Sequence, residues 1–220
     1  GGWVNVPLMR EVSFTAGSVA PTEGGAVAKG GAGAIVRRIV LTSGDWSTAD
    51  AAGKLVIDTV VGSFSAGAFT SAITATCSGA DSAISLLPGG RVETVLYNFT
   101  GSTDTERLYG CDGVNKGWEF DGTTLVPIST GMTTDTPRHV SAHRGHLFFA
   151  FRGSVQHSGI GKPYQWTIIT GAAEIATGQD VTGFSALPGD VDSAPLMISS
   201  ETRTMVLYGT SSADWKPTTF

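Results

Sequence analysis

Charged side chains are scarce in this sequence, and their scarcity limits the partners that the chain can bind. Asp, Glu, Lys and Arg make up 15% of its 220 residues, against about a quarter in an average soluble domain. The formal net charge is −5, and the basic residues are scattered, with Arg37 and Arg38 as their densest pair. A nucleic-acid groove needs clustered Lys and Arg to neutralise phosphates. The pattern therefore disfavours a groove that grips nucleic acid.

Cysteine is also rare. Cys77 and Cys111 lie far apart in the chain, and neither belongs to a CxxC motif. Two such thiols indicate neither a disulfide framework nor a zinc site, so we expect both to be unpaired.

Long apolar runs are missing too. No run approaches the roughly 18 residues that a membrane-spanning helix needs, so no membrane segment is expected. The first residues, GGWVNVPLM, carry neither a basic n-region nor an apolar h-region, so they do not resemble a signal peptide. Because the chain begins without Met, we expect it to be processed or to be a piece of a longer protein.

The residues that are abundant predict an all-β fold. The sequence contains 30 glycines, and its apolar residues recur with a period of two, whereas helical periodicity is almost absent. A hairpin is predicted where Trp118 and Phe120 share a strand face, Asp121-Gly122 turns, and Leu125 resumes the strand. Only STADAA, residues 47–52, suggests a helical turn. The other strand candidates are residues 34–42, 54–62, 91–99, 146–153 and a pair within 195–210.

A shift in composition divides the chain into three parts. Residues 1–11 are predicted to form a leading strand. Residues 12–90 are rich in Gly, Ala, Ser and Thr, and FTAG at residues 14–17 returns as FSAG at residues 64–67. We therefore predict an inserted small β-sandwich or barrel-like module built from two related halves, with LPGG as its exit. Residues 91–220 are richer in aromatics and are predicted to form propeller-like blade segments.

The last part contains a loose repeat. Each copy pairs an aromatic-bearing strand with a glycine turn and a second strand, around residues 107–128, 138–166 and 181–210. A spacing of this kind is typical of radial blades, but a closed propeller needs roughly 4 to 8 of them. The sequence therefore predicts a partial or open propeller, with any missing blades lying outside this chain.

Three segments in this part resemble one protein family. RLYGCDGVNKGWEFDGTTLVPI (107–128), PRHVSAHRGHLFFAFRGSVQHSGIGKPYQWT (137–167) and PLMISSETRTMVLYGTSSADW (195–215) resemble, in this order, strand segments of the β-propeller tail nozzle or tail-hub proteins of short-tailed bacteriophages. Each motif is weak alone, and the resemblance covers about half of the chain. Residues 12–87 have no counterpart in the pattern, which is why they are interpreted as an insertion.

The resemblance implies a structural virion protein and not an enzyme. Proteins of this family assemble in the host cytoplasm into a homo-oligomeric ring of the virion tail. The ring contacts the portal and adaptor, carries tail fibres or spikes, and lets DNA leave through its lumen without specific binding. Since this chain is short, blade closure and ring formation are implied by the family alone.

Several chemical alternatives compete with this interpretation. His139, His143 and His146 suggest a metal site, but no acidic or thiol ligand accompanies them in the segment, so we expect surface or interface histidines with a pH-sensitive contact instead. The pairs Glu119/Asp121 and Asp190/Asp192 suggest glycoside hydrolysis, although Asp121 is better explained as a turn residue. No GxSxG elbow or phosphate loop occurs. We predict no catalytic residue, no cofactor and no metal.

Most aromatics of the second part are expected to pack in blade cores. A minority are candidates for interface or ligand contacts, and the full candidate set is Trp46, Trp118, His143, His157, Tyr164 and Trp166. Tyr164 and Trp166 are also predicted to pin their loop onto the blade. The alternative function is a carbohydrate-binding adhesin domain for host recognition, in which exposed Trp46 and Trp166 stack on sugars. A glycan-degrading enzyme acting through Glu119 and Asp121 is the third hypothesis.

Overall fold

The structure is all-β, as the sequence predicts. A computed structural model describes residues 6–102, 105–188, 194–209 and 213–219, and strands account for 50% of it. Short 3₁₀ turns occur at Trp46–Thr48 and Ile168–Thr170, and the described part of the chain contains no α-helix. No helix long and apolar enough to cross a membrane is found among those residues.

The chain divides into two compact units. The first comprises the residues up to Leu86 together with Gly122–Val126. The second comprises Leu87–Asp121 and the residues from Pro127 onward. Each unit has its own core, so the two are described separately.

The first unit is one curled, half-barrel sheet of seven strands. Its strands are β1 (Arg10–Val19), β2 (Ala26–Lys29), β3 (Ala32–Ser43), β4 (Ala51–Val61), β5 (Gly67–Ala68), β6 (Thr74–Cys77) and β7 (Ser82–Ala83). They follow the order β2-β3-β4-β1-β6-β5, and β7 pairs with β1. Val12 and Phe14 in β1, and Ala32, Ala34 and Val36 in β3, are buried at a period of two and face the same core.

Two expectations about this unit are corrected. Of the predicted leading strand, residues 1–5 lie outside the described residues, residues 6–9 form no strand, and Arg10 and Glu11 begin β1, which continues to Val19 within the sheet. The module is a single curled, half-barrel sheet, which agrees with the barrel-like alternative, whereas the sandwich of two related halves is wrong. Phe14 lies in β1 whereas Phe64 precedes β5, although both rings are buried in the same core.

Residues 93–219 form three four-stranded antiparallel sheets, each an up-and-down meander, and all of their strands lie in the second unit except β11, most of which falls in the segment assigned to the first. The first consists of β8 (Glu93–Tyr97), β9 (Arg107–Cys111), β10 (Trp118–Phe120) and β11 (Leu125–Pro127); the second of β12 (His139–His143), β13 (His146–Phe151), β14 (Ser154–His157) and β15 (Ala173–Ala176); and the third of β16 (Val181–Ala186), β17 (Leu196–Ser200), β18 (Thr204–Tyr208) and β19 (Lys216–Thr219). The sheets follow one another in chain order, and β12 packs against both β8 and β16.

These sheets are larger than the repeat in the sequence predicts. The first begins at β8, well before residue 107, and the second and third each end with a strand, β15 and β19, beyond the predicted limits. The predicted hairpin is confirmed, since β10 and β11 flank a turn in which Gly122 has a φ of +99°. The suggested helical turn lies slightly earlier, at Trp46–Thr48, and Ala51 already belongs to β4.

Strand β13 explains how the second sheet is buried on both faces. All six of its residues are buried. Leu147, Phe149 and Phe151 pack with the side chains of β9 and β12, whereas Phe148 and Ala150 pack with those of β16, β17 and β18. Because successive side chains of a strand point to opposite faces, β13 joins two cores.

Candidate functional site

Trp46, the main candidate sugar platform, is already stacked inside the first unit. Its ring lies 5.1 Å from that of Phe14 at an interplanar angle of 20°. The turn that carries it is capped by Asp45, whose carboxylate accepts a hydrogen bond of 2.8 Å from the backbone N–H of Ser47. Trp46 is partly buried against the core, so one of its faces serves packing. This corrects the expectation of an exposed tryptophan at this position.

The other aromatic candidates also serve packing. Trp118 covers Gly110 so closely that a Cβ built there would lie 2.3 Å from the indole ring. Trp166 stacks on Phe149 with a centroid distance of 5.3 Å and an angle of 15°, and its Nε1 donates to the Pro163 carbonyl at 2.9 Å. Tyr164 packs against the same core. Tyr164 and Trp166 thus pin their loop to the sheet, as the sequence predicts, and the half-buried Trp166 presents no free stacking platform.

The histidines do not gather as the metal hypothesis requires. His139 Nδ1 lies 3.0 Å from both carboxylate oxygens of Glu93 and is partnered there. His143, His146 and His157 are buried, so the expectation of surface or interface histidines is wrong for these three. The reason is that strand β13 and its neighbours are covered on both faces. The described residues include no group of three or more His, Cys, Asp or Glu side chains that could hold a metal ion.

Instead, the buried imidazoles form a histidine–tryptophan cluster with Phe148 and Trp215; its members are His143, His146, Phe148, His157 and Trp215. The rings of His146 and His157 lie 5.0 Å apart, and that of Trp215 lies 4.8 Å and 4.7 Å from them. Nδ1 of both His146 and His157 donates to the Ser158 carbonyl, at 2.5 Å and 3.0 Å. Nε2 of His146 and Nε1 of Trp215 find no hydrogen-bond partner in the described part of the chain.

This environment keeps the imidazoles neutral. Burial, assisted by the charges of Arg144 and His146, lowers the pKa of His143 to about 4. Burial also lowers the pKa of His157 to about 4, although the Ser158 carbonyl opposes the shift. The pKa of His146 is lowered for the same reason. The cluster therefore resists protonation in the neutral range, where an unperturbed histidine begins to titrate.

The carboxylate pairs and thiols that the sequence singles out lie as follows. Glu119 is buried, and its Oε1 lies 3.4 Å from Arg107 Nε, whereas Asp121 lies past the end of β10, so the two do not share a strand face. Asp190 and Asp192 lie outside the described residues. Cys77 and Cys111 are both buried free thiols, as predicted, and burial raises the pKa of Cys111, which suppresses its thiolate.

A cavity in the second unit is lined by two arginines, Arg138 and Arg152. Its volume is about 410 Å³, and it is lined by Gly113, Met132, Thr134, Thr136, Arg138, Phe151 and Arg152. A second cavity of about 300 Å³ shares Gly113 and Arg138 with it. Sequence reasoning misses both arginines. One sequence feature could have drawn attention to Arg152: it precedes Gly153 in a two-residue hairpin turn, where Asn or Gly is the usual first residue.

Comparison with known proteins does not identify a relative. No family model, no curated protein and no solved structure matches this chain.

Proposed function

We propose that the chain is a structural, non-enzymatic subunit of a bacteriophage tail, of the nozzle or hub type. The observation that carries the proposal is the series of three four-stranded meanders within residues 93–219. Sheets of this kind, placed side by side with their first strands in contact, are the building blocks of β-propellers. Sheets that share buried side chains on both faces give a stiff wall, which is what a tail channel requires.

The resemblance seen in the sequence supports the same proposal. Its first segment, 107–128, covers β9 to β11; the second, 137–167, covers β12 to β14; and the third, 195–215, contains β17 and β18. One motif thus falls in each sheet, in chain order. Because three sheets are fewer than a propeller needs, we propose that further segments of a longer protein, or other copies, complete the wall.

In this proposal the chain belongs to a ring in the virion tail, assembled in the host cytoplasm. The ring contacts the portal–adaptor complex and the tail fibres, and DNA passes along its lumen without specific binding. The formal charge of −5 favours passage, because few cations are available to hold phosphates. Two adjacent isoleucines, Ile168 and Ile169, are 86% and 98% exposed and are candidates for a subunit contact.

The adhesin alternative loses its stacking platforms, because Trp46 and Trp166 are occupied by Phe14 and Phe149.

Cryo-electron microscopy of the tail particle that contains this chain tests the main proposal. We expect density for the three meanders in a ring on the tail axis, below the adaptor. Density at the tip of a peripheral fibre would reject the nozzle and restore the adhesin.

A matched pair of variants tests the subunit contact. Ile169→Asp places a charge on the exposed 3₁₀ turn, and Val61→Asp places one on an equally apolar, 67% exposed position of the first unit. We expect the first variant to reduce ring assembly in sedimentation experiments and the second to assemble normally. Equal assembly by both variants would exclude this turn from the subunit contact.

A further inference from the structure

Arg152 occupies a strained position at the edge of the 410 Å³ cavity. Phe151 and Ser154 are paired across the β13–β14 hairpin, so Arg152 and Gly153 form its two-residue turn. The φ of Arg152 is +53°, in the left-handed region, where a residue with a Cβ costs about 1–2 kcal/mol. Glycine is the usual residue at such a position. Because Arg144 adopts the same conformation in the preceding hairpin, the role of Arg152 follows from its place at the cavity and not from the strain alone.

The guanidinium of Arg152 is available for a ligand. It makes no hydrogen bond and no ion pair with any of the described residues. The second arginine of the cavity, Arg138, lies 3.5 Å from Asp180, and its side chain remains 47% exposed. The cavity therefore combines an uncompensated cation with a partly compensated one.

The remaining walls of the cavity are held in place. Asp135 accepts hydrogen bonds from the backbone N–H of Thr130 at 3.0 Å and from its hydroxyl at 2.7 Å, which closes the loop that carries Met132, Thr134 and Thr136. Gln156 Nε2 lies 2.7 Å from Met132 Sδ. Gly113 donates its N–H to the Pro137 carbonyl at 2.8 Å. A ligand would thus enter a preformed site and would not have to order the loop on binding.

We propose that this cavity binds an acidic saccharide through the carboxylate of a uronate-type sugar. The planar forks of Arg152 and Arg138 match a carboxylate, which they can bind with charge-assisted hydrogen bonds. The hydroxyls of Thr134 and Thr136 offer partners for sugar hydroxyls. Met132 and Phe151 provide an apolar wall for the C–H face of the ring. This binding site does not depend on the proposed role in a tail ring.

The construction of the cavity favours a saccharide over an acidic peptide. Its volume of about 410 Å³ falls within the roughly 300–1,000 Å³ of small-ligand sites. An extended peptide is commonly bound by adding a strand to a free sheet edge. None of the residues that line this cavity belongs to an edge strand, because Phe151 lies in a central strand and the others lie in turns and loops.

Isothermal titration of the full chain with tri-galacturonate, and with its methyl ester as the matched neutral probe, tests the proposal. We expect the acid to bind, its methyl ester to bind at least about tenfold more weakly, and the affinity to fall as salt is raised. Arg152→Gly should weaken acid binding at least about tenfold while leaving thermal stability unchanged or higher, since it also removes the left-handed strain. Arg144→Gly is the control, because Arg144 has a φ of +48° in the preceding hairpin turn and does not line the cavity.

Each other result overturns the proposal. Equal binding of acid and ester would remove the role of the arginines, and unchanged binding by Arg152→Gly would place the site elsewhere. Tighter binding of a tri-glutamate peptide than of tri-galacturonate would assign the cavity to a protein partner. Absence of binding to either probe would reject an acidic-saccharide site. None of these outcomes bears on ring assembly, so the two proposals fail separately.

Discussion

The two units of the molecule bury different kinds of side chain. The first fills its core mostly with Val, Ala, Ile and Leu around a few phenylalanines. The second joins its sheets with aromatic rings, to which it adds the three imidazoles of the histidine–tryptophan cluster. Small side chains allow one long sheet to curl closely on itself, whereas large rings fill the space between separate sheets. The first unit is therefore sensitive to backbone crowding, and the second to loss of rings or to charge in its core.

The largest effect is expected from removing a ring that lies between two sheets. Phe148→Ala should lower the free energy of unfolding of the second unit by about 3–5 kcal/mol, because the fully buried ring contacts His157, Phe184 and Trp215. The matched variant Phe14→Ala should act on the first unit. Hydrogen exchange followed residue by residue measures the loss of stability in each unit for each variant. Loss of protection throughout the chain in either variant would show that the two units do not unfold separately.

Glycine substitutions should separate the two kinds of packing. A Cβ at Gly53 would lie 1.9 Å from the Val40 carbonyl oxygen, so the β3 and β4 backbones must move apart in Gly53→Ala. A Cβ at Gly110 would instead meet the Trp118 ring at 2.3 Å. We expect losses of about 1–3 kcal/mol in denaturant unfolding, the larger for Gly53 because a ring shifts more easily than a strand.

Gly31→Ala is the control for both glycine variants. Nothing lies within 4 Å of the place that the new methyl group would take, so the change in stability should stay within about 0.5 kcal/mol. A larger loss for Gly110→Ala than for Gly53→Ala would reverse the comparison, since it would make the aromatic layer the less adaptable of the two.

The histidine–tryptophan cluster predicts an acid sensitivity confined to the second unit. The folded-state pKa values of His143 and His157 are lowered to about 4, below the ordinary histidine value near 6.5, so between these limits the unfolded chain binds more protons. Stability is therefore fully present above pH 6.5 and is lost as the pH falls towards 4. Each imidazole contributes up to about 1.4 kcal/mol per pH unit within this window.

Urea unfolding at a series of pH values measures this slope. His157→Phe should flatten it, whereas His139→Gln should retain the loss that comes from the cluster, because His139 lies against Glu93 and not among these rings. Hydrogen bonds lower the pKa of carboxylates such as Asp112, so their contribution to the free energy of unfolding is lost only below about pH 4. Their titration therefore lies outside the histidine window. An unchanged slope in His157→Phe would mean that water reaches the cluster readily.

The sequence predicts the elements of this fold better than their partners. A period of two locates β3, β4 and β8, and Asp121-Gly122 locates a hairpin, because these signals are local. The pairing of β1 with β4, β6 and β7 joins residues far apart in the chain, and no local pattern encodes it. The burial of the histidines is missed when HLFFAF is interpreted as an alternating strand with one face in solvent. The unbroken run of five apolar residues from Leu147 to Phe151 instead indicates a strand covered on both faces.

The candidate site is harder to predict for a related reason. Aromatic residues are the natural ligand contacts in the sequence, yet large rings bury the most surface and so are used for packing. Arg138 and Arg152 are separated in the chain by the whole β12–β13 hairpin, and only the register of its two strands brings them to one cavity. The tight Arg-Gly turn is a weak local sign, since Arg144-Gly145 forms a turn of the same composition away from the cavity.

The smallest effect is expected from the ion pairs on the sheet of the first unit. Lys54 Nζ lies 2.8 Å from Glu11 Oε1 across β1 and β4, and both side chains are about one-fifth exposed. A double-mutant cycle with Lys54→Met and Glu11→Gln should give a coupling of about 0.2–1 kcal/mol that shrinks in high salt. Such a value means that inward-facing small side chains, and not surface charges, hold this sheet. A coupling well above that range, unaffected by salt, would make electrostatics the real difference between the two units.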